Sequence, residues 1–171
     1  MELLKDFNIK KYLDKKPPSD NSFTTMQEIK ELKKTPINKN FVKEKDDIRE
    51  AFGKVVDERK FMQNLINESA PLLLKIKKHH NRPRPYELDK SLEAVKMKSM
   101  DTPSYPSGHS AQGVLIGMAL SDKYPSKKTK LMKIAKDISK SRNIAHAHYK
   151  SDSKFGEQIG KDMYNHIKNK I

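Results

Sequence analysis

The chain contains no cysteine, which excludes disulfide bonds, a thiolate nucleophile and a cysteine-ligated metal. It also has no long apolar segment, since the run GVLIGMAL at 113–120 is well short of the roughly 20 residues that span a bilayer. The charged opening stretch MELLKDFNIKKYLDKK lacks the apolar region of a signal peptide. From the sequence alone we therefore expect a soluble protein, cytoplasmic by default, without a transmembrane segment.

Positive charge is the dominant compositional feature. Among 171 residues, 36 are lysine or arginine and 22 are aspartate or glutamate, which leaves a net charge of +14. This excess favours an anionic partner such as nucleic acid, an anionic membrane surface or a small phosphorylated substrate. The lysines are spread along the chain and form no single block, which argues against specific nucleic-acid binding.

The pattern of apolar residues predicts an all-α fold. Apolar side chains recur at helical spacing, and no stretch alternates with period two for long enough to form a strand. The length suits one domain. We predict a single compact bundle of about six helices over residues 22–171, preceded by an extended polar lead-in over residues 1–21. An apolar face on the N-terminal helices would allow a homodimer.

Capping and proline signals predict several helix boundaries. Thr25 and Glu28 have capping-box spacing, which predicts the start of a helix that Pro36 ends. Gly53 predicts a break in the helical pattern that follows, and Pro71 predicts the first turn of another helix. Further helices are predicted over about 108–122, from about 127, and from about 152 to the end of the chain.

A basic segment, KIKKHHNRPRPY at 75–86, is the first candidate for anion binding. Its prolines force an extended, stiff path, in which Arg82 and Arg84 point the same way. The alternative interpretation is a solvated helix end, where cations also suit the helix dipole.

The segment YPSGHS is the second candidate. It places Ser107, Gly108 and His109 at the predicted start of a helix, where unpaired backbone N–H groups and the dipole attract anions. Gly108 would let an anion approach the backbone closely. The alternative is an ordinary turn that caps a helix and contains an incidental histidine.

The third candidate is SRNIAHAHYKSD at 141–152. His148 and Asp152 are four residues apart, so on one helical turn the carboxylate can accept an imidazole N–H and select the tautomer. Arg142 would face elsewhere on a continuous helix, and we therefore predict a break near 143–148. The alternative is an exposed histidine and aspartate pair.

Together the three segments provide what phosphoryl transfer requires, namely fixed cations, backbone donors and two histidines with separate roles. The residues are Lys77-x6-Arg84-Pro85, Pro106-Ser107-Gly108-His109 and Ser141-Arg142-x5-His148-x3-Asp152. This pattern resembles the three-part signature of the phosphatidic acid phosphatase type 2 superfamily, which includes soluble bacterial class A nonspecific acid phosphatases, lipid phosphatases and vanadium haloperoxidases. Lys75 and Arg82-Pro83 have the same spacing as the first part and remain an alternative to Lys77 and Arg84.

The resemblance implies a role for each matching residue. His148 would attack phosphorus and form a phosphohistidine, and Asp152 would hold its imidazole. His109 would protonate the leaving alcohol and then activate water. The expected phosphate ligands are Lys77, Arg84, Ser107, Gly108 and Arg142. The two histidines would act in opposite protonation states, with His148 neutral and His109 charged, although nearby cations would lower both pKa values.

The implied function is a metal-independent phosphatase that hydrolyses phosphate monoesters and has vanadate as an inhibitor. The alternatives are a peripheral phosphatase of lipid or isoprenoid phosphates, a haloperoxidase with vanadate as cofactor, and a basic anion- or nucleic-acid-binding protein without activity. The pair His146 and His148 could suggest a metal site, but no carboxylate cluster accompanies it. No role is assigned to His79, His80, His146 and His166, for which we expect surface positions.

Overall fold

The computed structural model describes residues 2–171, and within that range it contains helices, turns and loops but no β-strand. The α-helices are α1 (Lys10–Leu13), α2 (Phe23–Lys34), α3 (Lys39–Asp46), α4 (Ile48–Gly53), α5 (Arg59–His80), α6 (Pro85–Leu88), α7 (Gly108–Lys123), α8 (Lys128–Ile144) and α9 (Lys150–Ile167). Short 3-10 helices cover Lys98–Asp101 and Pro125–Lys127. The predicted all-α fold is confirmed. Six of these α-helices have eight or more residues, and the other three are shorter segments between them.

Helix α7 lies at the centre of the core, packed against α8 and α9. Its apolar side chains are buried on several faces, as the near-continuous run in its sequence requires. The principal core cluster also draws residues from α4, α5, α8 and α9. This position matters for function because the first turn of α7 carries the segment YPSGHS.

Two glycines on α9 allow α7 and α9 to approach closely. A Cβ at Gly156 would collide with the backbone carbonyl of Ser107, and one at Gly160 would collide with that of Ala111. The backbone N–H of Ser107 donates to the carbonyl of Asp152 at 3.0 Å. The close approach therefore brings the first turn of α7 against the first turn of α9, where two of the predicted site segments meet.

Several predicted boundaries are confirmed and two are wrong. Helix α2 ends before Pro36 and α4 ends at Gly53, as predicted. The N-cap of α2 is Ser22, whose hydroxyl accepts from the N–H of Thr25, so Thr25 is not the capping residue. Pro71 lies inside α5 and does not begin a helix. Helix α5 continues through it because buried core residues on both sides of the proline outweigh one lost backbone hydrogen bond.

The first residues do not form the predicted extended polar lead-in. Leu3, Leu4 and Tyr12 are buried in the principal core, and α1 forms within this segment. The Tyr12 hydroxyl donates to Asp162 on α9 at 2.6 Å. A few apolar side chains among many lysines are thus enough to attach the segment to the bundle.

No helix in residues 2–171 combines the length and apolar character needed to cross a membrane. Phe23 and Met26 on α2 are exposed. They agree with the expected apolar face on the N-terminal helices, while the homodimer stays a prediction.

Candidate functional site

His148 and Asp152 form a buried pair at the start of α9. His148 Nδ1 lies 3.0 Å from Asp152 Oδ2, and both side chains are almost fully buried. Oδ2 also accepts from the Tyr149 N–H at 3.1 Å and from the Ser104 hydroxyl. The other carboxylate oxygen, Oδ1, accepts from Arg82 Nη1 at 2.7 Å. Asp152 is therefore held by donors from three separate segments of the chain.

These contacts determine the tautomer of His148. Because the Asp152 carboxylate only accepts, Nδ1 must carry the hydrogen between them. His148 Nε2 lies 2.9 Å from Arg84 Nη1, which only donates. Nε2 therefore has an unprotonated lone pair, which is the form that a nucleophilic imidazole needs.

The predicted interruption of the helix lies between α8 and α9. Helix α8 ends at Ile144, and His146 has a φ of 57°, in the left-handed region. The Ala147 N–H donates to the Arg142 carbonyl at 3.0 Å, and the Asn143 amide donates to the His148 carbonyl at 3.0 Å. This turn allows Arg142 and His148 to serve the same site.

Arg82 is fully buried behind Asp152 and does not face the Nε2 side of His148. Besides Asp152, its Nη1 donates to the Ser151 hydroxyl at 2.8 Å, and its Nη2 lies 3.4 Å from Glu28 Oε2. Its guanidinium stacks 3.7 Å from the centre of the Tyr149 ring. Glu28 in turn accepts from the Ser151 N–H at 2.7 Å. Arg82 and Glu28 thus fix the first turn of α9.

Neither sequence pattern indicates this role of Arg82 and Glu28. The spacing of Thr25 and Glu28 predicts a capping box, and the spacing of Lys75 and Arg82 makes Arg82 an alternative phosphate ligand. Lys75, its partner in that alternative, is exposed to solvent, whereas Lys77 is buried. The available signal was the rigid Arg82-Pro83 step directly beside Arg84-Pro85, which places two arginines on neighbouring parts of one site.

Arg84 approaches His148 from the other side. Its guanidinium is held by backbone carbonyls, those of Thr102 at 3.0 Å, Ala147 at 3.0 Å and Ser99 at 2.9 Å. Lys77 is 7% exposed, and its Nζ donates to the Pro103 carbonyl at 2.8 Å. Burial, reinforced by the charge of Arg84, lowers the pKa of Lys77 to about 7. Both cations are thus short of an anionic partner.

Arg142 has one hydrogen-bonding position left over. Its Nε donates to the Ser141 hydroxyl at 3.1 Å, and its Nη1 lies 3.1 Å from Asp46 Oδ1 and 3.3 Å from Met97 Sδ. Its Nη2 is buried and makes no hydrogen bond within the described residues. A buried guanidinium nitrogen without a partner is costly, and Nη2 is therefore a donor that a bound anion could use.

The first turn of α7 supplies neutral donors. The Ser107 hydroxyl accepts from the Ser110 N–H at 3.2 Å and from the Ser110 hydroxyl at 2.9 Å. The Ser110 hydroxyl also lies 2.8 Å from that of Ser139, which donates to Glu157, so Ser107 is the end of a chain of hydroxyls and can turn its hydrogen toward an acceptor. Gly108 lies next to Lys77, because a Cβ there would be 3.8 Å from Lys77 Cε. The PSGH segment and the first basic segment thus meet here.

His109 faces Asp46 at the edge of the site. Its Nε2 lies 2.8 Å from the Asp46 carbonyl and 3.5 Å from the Asp46 carboxylate. Burial and then the charge of Arg142 lower the pKa of His109 to about 4. A pKa in this range leaves His109 mostly neutral near pH 7, whereas the predicted role requires a charged imidazole.

Burial and charge also shift the pKa values of the buried pair. Burial, followed by Arg84, Lys77 and Arg142, lowers the pKa of His148 well below its usual value. Burial raises the pKa of Asp152 to about 6, although Arg82 and Ser104 act in the opposite direction. Near neutral pH, the site therefore combines a neutral imidazole with an ionised carboxylate.

The remaining histidines contact backbone carbonyls. His146 is buried, contrary to the expected surface position, with Nδ1 2.8 Å from the Glu93 carbonyl and Nε2 2.8 Å from the Thr35 carbonyl. His80 is half-buried and lies 2.9 Å from the Tyr12 carbonyl. Both ring nitrogens of His146 are thus engaged. Across the part of the chain that the structure describes, no group of three or more metal-ligating side chains forms.

A shallow groove of about 370 Å³ opens beside His109. Its wall is mostly polar and includes Arg49, Gln63 and Gln112. A second groove, of about 420 Å³, is lined partly by Met97, which contacts Arg142, and by Met100. The first groove reaches His109 and the second reaches Met97, and neither is lined by His148, Lys77 or Arg84.

Comparison with known proteins gives a limited similarity. The chain is 39% identical over 57 residues to a non-specific acid phosphatase of Salmonella typhimurium. The match covers 33% of this chain and 23% of the Salmonella protein. No family model matches the chain. This partial similarity to an acid phosphatase agrees with a phosphatase-like function.

Proposed function

We propose that the protein is a phosphatase that hydrolyses phosphate monoesters through a phosphohistidine on His148, without a metal ion. The observation that carries the proposal is the state of His148, whose Nε2 lone pair is unprotonated while Nδ1 is held by Asp152. A noncatalytic anion site needs cations but not an imidazole oriented by a buried carboxylate. The partial similarity to the Salmonella acid phosphatase supports the same reaction class.

The first half of the reaction would transfer the phosphoryl group to the protein. His148 Nε2 attacks phosphorus, the bond from phosphorus to the ester oxygen breaks, and its electron pair remains on the leaving oxygen. A protonated His109 then gives that oxygen its proton. The Nδ1 hydrogen stays between His148 and Asp152, so the carboxylate stabilises the positive charge that develops on the ring.

The second half would return the protein to its starting state. The now neutral His109 removes a proton from water, and the water oxygen attacks phosphorus. The bond from phosphorus to His148 Nε2 breaks, which releases inorganic phosphate and restores the lone pair. One water is consumed, and the alcohol and phosphate are the products.

The proposed phosphate ligands are Lys77, Arg84, Arg142, Ser107 and the N–H of Gly108. Their common property is a donor that contacts no anionic side chain or can add an anionic acceptor. Positioned cations and backbone donors stabilise the charge on the nonbridging oxygens of the transition state. An anion beside His109 also raises its pKa, which allows the imidazole to take the proton that it later donates. Membership of the phosphatidic acid phosphatase type 2 superfamily is part of this proposal.

The decisive experiment is hydrolysis of p-nitrophenyl phosphate with EDTA present, with and without orthovanadate. We expect activity that survives EDTA and is blocked by vanadate. His148→Ala should lower kcat by at least about 1000-fold, because it removes the nucleophile. The exposed His79 provides the control, and His79→Ala should retain activity.

Other outcomes would redirect the proposal. Loss of activity with EDTA, or a His148→Ala variant as active as the original, would contradict it. A protein that binds vanadate but hydrolyses no ester should be assayed with bromide and hydrogen peroxide, as the haloperoxidase alternative requires. A folded protein that binds neither phosphate nor vanadate would exclude both enzymatic interpretations.

A further inference from the structure

Asp46 is an acidic residue that contacts the proposed site from outside the three signature segments. It is the last residue of α3, and its Oδ1 lies 3.1 Å from Arg142 Nη1. The same oxygen lies 3.5 Å from His109 Nε2, while the Asp46 carbonyl lies 2.8 Å from that nitrogen. One residue thus contacts both the proposed proton donor and a proposed phosphate ligand.

The Asp46 carboxylate and a substrate phosphate would compete for the same cation. The Arg142 side chain is 1% exposed, so it cannot satisfy its charge with bulk water. In the structure Asp46 supplies an anionic acceptor to Nη1, while the buried Nη2 makes no hydrogen bond within residues 2–171. A phosphate gripped by both terminal nitrogens, the geometry that arginine favours, would need the position that Asp46 holds.

The Asp46 carboxylate can move away from Arg142 without disturbing the backbone. Its side chain is 47% exposed and can turn into solvent. The next residue, Asp47, caps α4 by accepting from the N–H groups of Arg49 and Glu50. The turn between α3 and α4 therefore stays fixed, and the Asp46 carbonyl keeps its contact with His109 while the carboxylate moves.

We propose that the Asp46 carboxylate is an internal counter-ion of Arg142 that phosphate displaces on binding. This inference rests on the proposed function, because it assigns Arg142 to the phosphate. Two anions at one guanidinium repel each other, so Asp46 weakens the affinity for substrate and product phosphate alike. The effect on product matters most, because a small, densely cationic site would otherwise hold inorganic phosphate and slow its release. Asp46 is thus a determinant of phosphate affinity, and it neither bonds to phosphorus nor transfers a proton in the proposed steps.

The test is direct binding of inorganic phosphate and of orthovanadate, measured by isothermal titration calorimetry at fixed pH and ionic strength. We expect Asp46→Asn to bind both anions about three- to tenfold more tightly, since it keeps the size of the side chain and removes the charge. Asp46→Glu retains the charge and should remain closer to the original affinity. Glu44→Gln is the matched control, because Glu44 is an exposed acid on the same helix without a hydrogen bond or ion pair to the site. It should change binding little.

A different role for Asp46 would change the phosphate affinity of Asp46→Asn in the opposite direction. If Asp46 instead positions Arg142 for phosphate, Asp46→Asn will bind phosphate more weakly, and that result overturns the proposal. Unchanged affinity in Asp46→Asn, or an equal gain in Glu44→Gln, overturns it as well. A circular dichroism melting curve checks that each variant is folded.

The failure of this inference can be distinguished from the failure of the proposed function. A wild-type protein that hydrolyses p-nitrophenyl phosphate, with no gain in affinity for Asp46→Asn, would refute only the counter-ion role. Tighter binding by Asp46→Asn in a protein without hydrolytic activity would support the counter-ion role and refute the phosphatase. A folded wild-type protein that does not bind phosphate would refute both.

Discussion

The two sides of His148 differ in how completely the protein satisfies them. On the Nδ1 side, Asp152 accepts from His148, Tyr149, Ser104 and Arg82, so both of its oxygens are engaged. On the Nε2 side, cations are held mainly by backbone carbonyls, and Arg142 Nη2 has no partner among the described residues.

The difference indicates what each side is built to do. The Asp152 carboxylate has both oxygens hydrogen-bonded before any ligand arrives and fixes the imidazole in one tautomer, whereas Arg82 Nε and the Tyr149 hydroxyl behind it are buried without a hydrogen bond within residues 2–171. The cationic side is incomplete, and burial together with neighbouring positive charge lowers the pKa values of Lys77 and His109. An arriving phosphate would complete it. The predictions below separate these two roles.

Among changes on the Asp152 side of His148, Arg82→Met should have the largest effect on activity. It removes the donor to Asp152 Oδ1 and leaves Glu28 with a weaker partner set, so we expect kcat to fall about 100-fold while KM changes less. The free energy of unfolding should fall by about 3 kcal/mol, because a buried carboxylate loses its cation. The measurements are steady-state kinetics and chemical denaturation.

Lys75→Met is the control for that variant. Lys75 pairs with Arg82 in the alternative version of the first motif but is exposed. The Lys75→Met variant should therefore retain activity. A loss of phosphate affinity in both variants, with kcat preserved, would instead assign this pair to the phosphate.

Ser104→Ala removes one hydroxyl donor from Asp152 Oδ2 and should have a smaller effect. A hydrogen bond to a charged group contributes about 1.5–3 kcal/mol, and we expect roughly a tenfold fall in kcat. The pKa of Asp152 should rise, because its ionised form loses a donor. Ser126→Ala, at an exposed position, provides the comparison. Equal kinetics for the two variants would show that the Ser104 contact contributes nothing.

The pH dependence of kcat/KM should show contributions from both sides. Activity should gain from the ionisation of Asp152 as pH increases through about 6, and should fall as Lys77 loses its proton above about 7 and as the protonated fraction of His109 declines above about 4. Each limb should change the rate by up to about tenfold per pH unit. Lys77→Arg should move the alkaline limb to higher pH and leave the acid limb in place. An alkaline limb that does not move would exclude Lys77 as its origin.

Proton uptake on phosphate binding should be the smallest of these effects. An anion raises the pKa values of His109, about 4 without it, and of Lys77, about 7, so binding near pH 7 should take up a fraction of a proton or more. Calorimetry in buffers of different ionisation enthalpy measures this number. His109→Asn should reduce it, whereas His79→Asn should not. Proton release on binding would contradict the electrostatic account.

The contact between His148 and Asp152 was predictable because the two residues are close in sequence. The four-residue step from His148 to Asp152 is a helical spacing, and it produces the observed contact once α9 begins at Lys150. The break before His148 was also predictable, because Arg142 could not otherwise reach the same site. Local periodicity contains this information directly.

Contacts between distant segments were not predictable in the same way. Arg82 meets Glu28 across 54 positions, and Arg142 meets Asp46 across 96. Nothing in the local sequence of Glu28 or Asp46 distinguishes them from other acids on polar helices. The burial of Leu3, Leu4 and Tyr12 was missed for a related reason, since isolated apolar residues among lysines give no periodic pattern.

The measurement that tests the central claim most directly is detection of the covalent intermediate. The protein would be mixed with p-nitrophenyl phosphate, quenched in alkali, in which phosphohistidine survives, and examined by intact-mass and peptide mass spectrometry. His109→Ala should increase the trapped fraction, because water activation becomes slow. The account predicts one phosphoryl group, located on His148. Continued hydrolysis without any adduct, or an adduct on a residue other than His148, would contradict it.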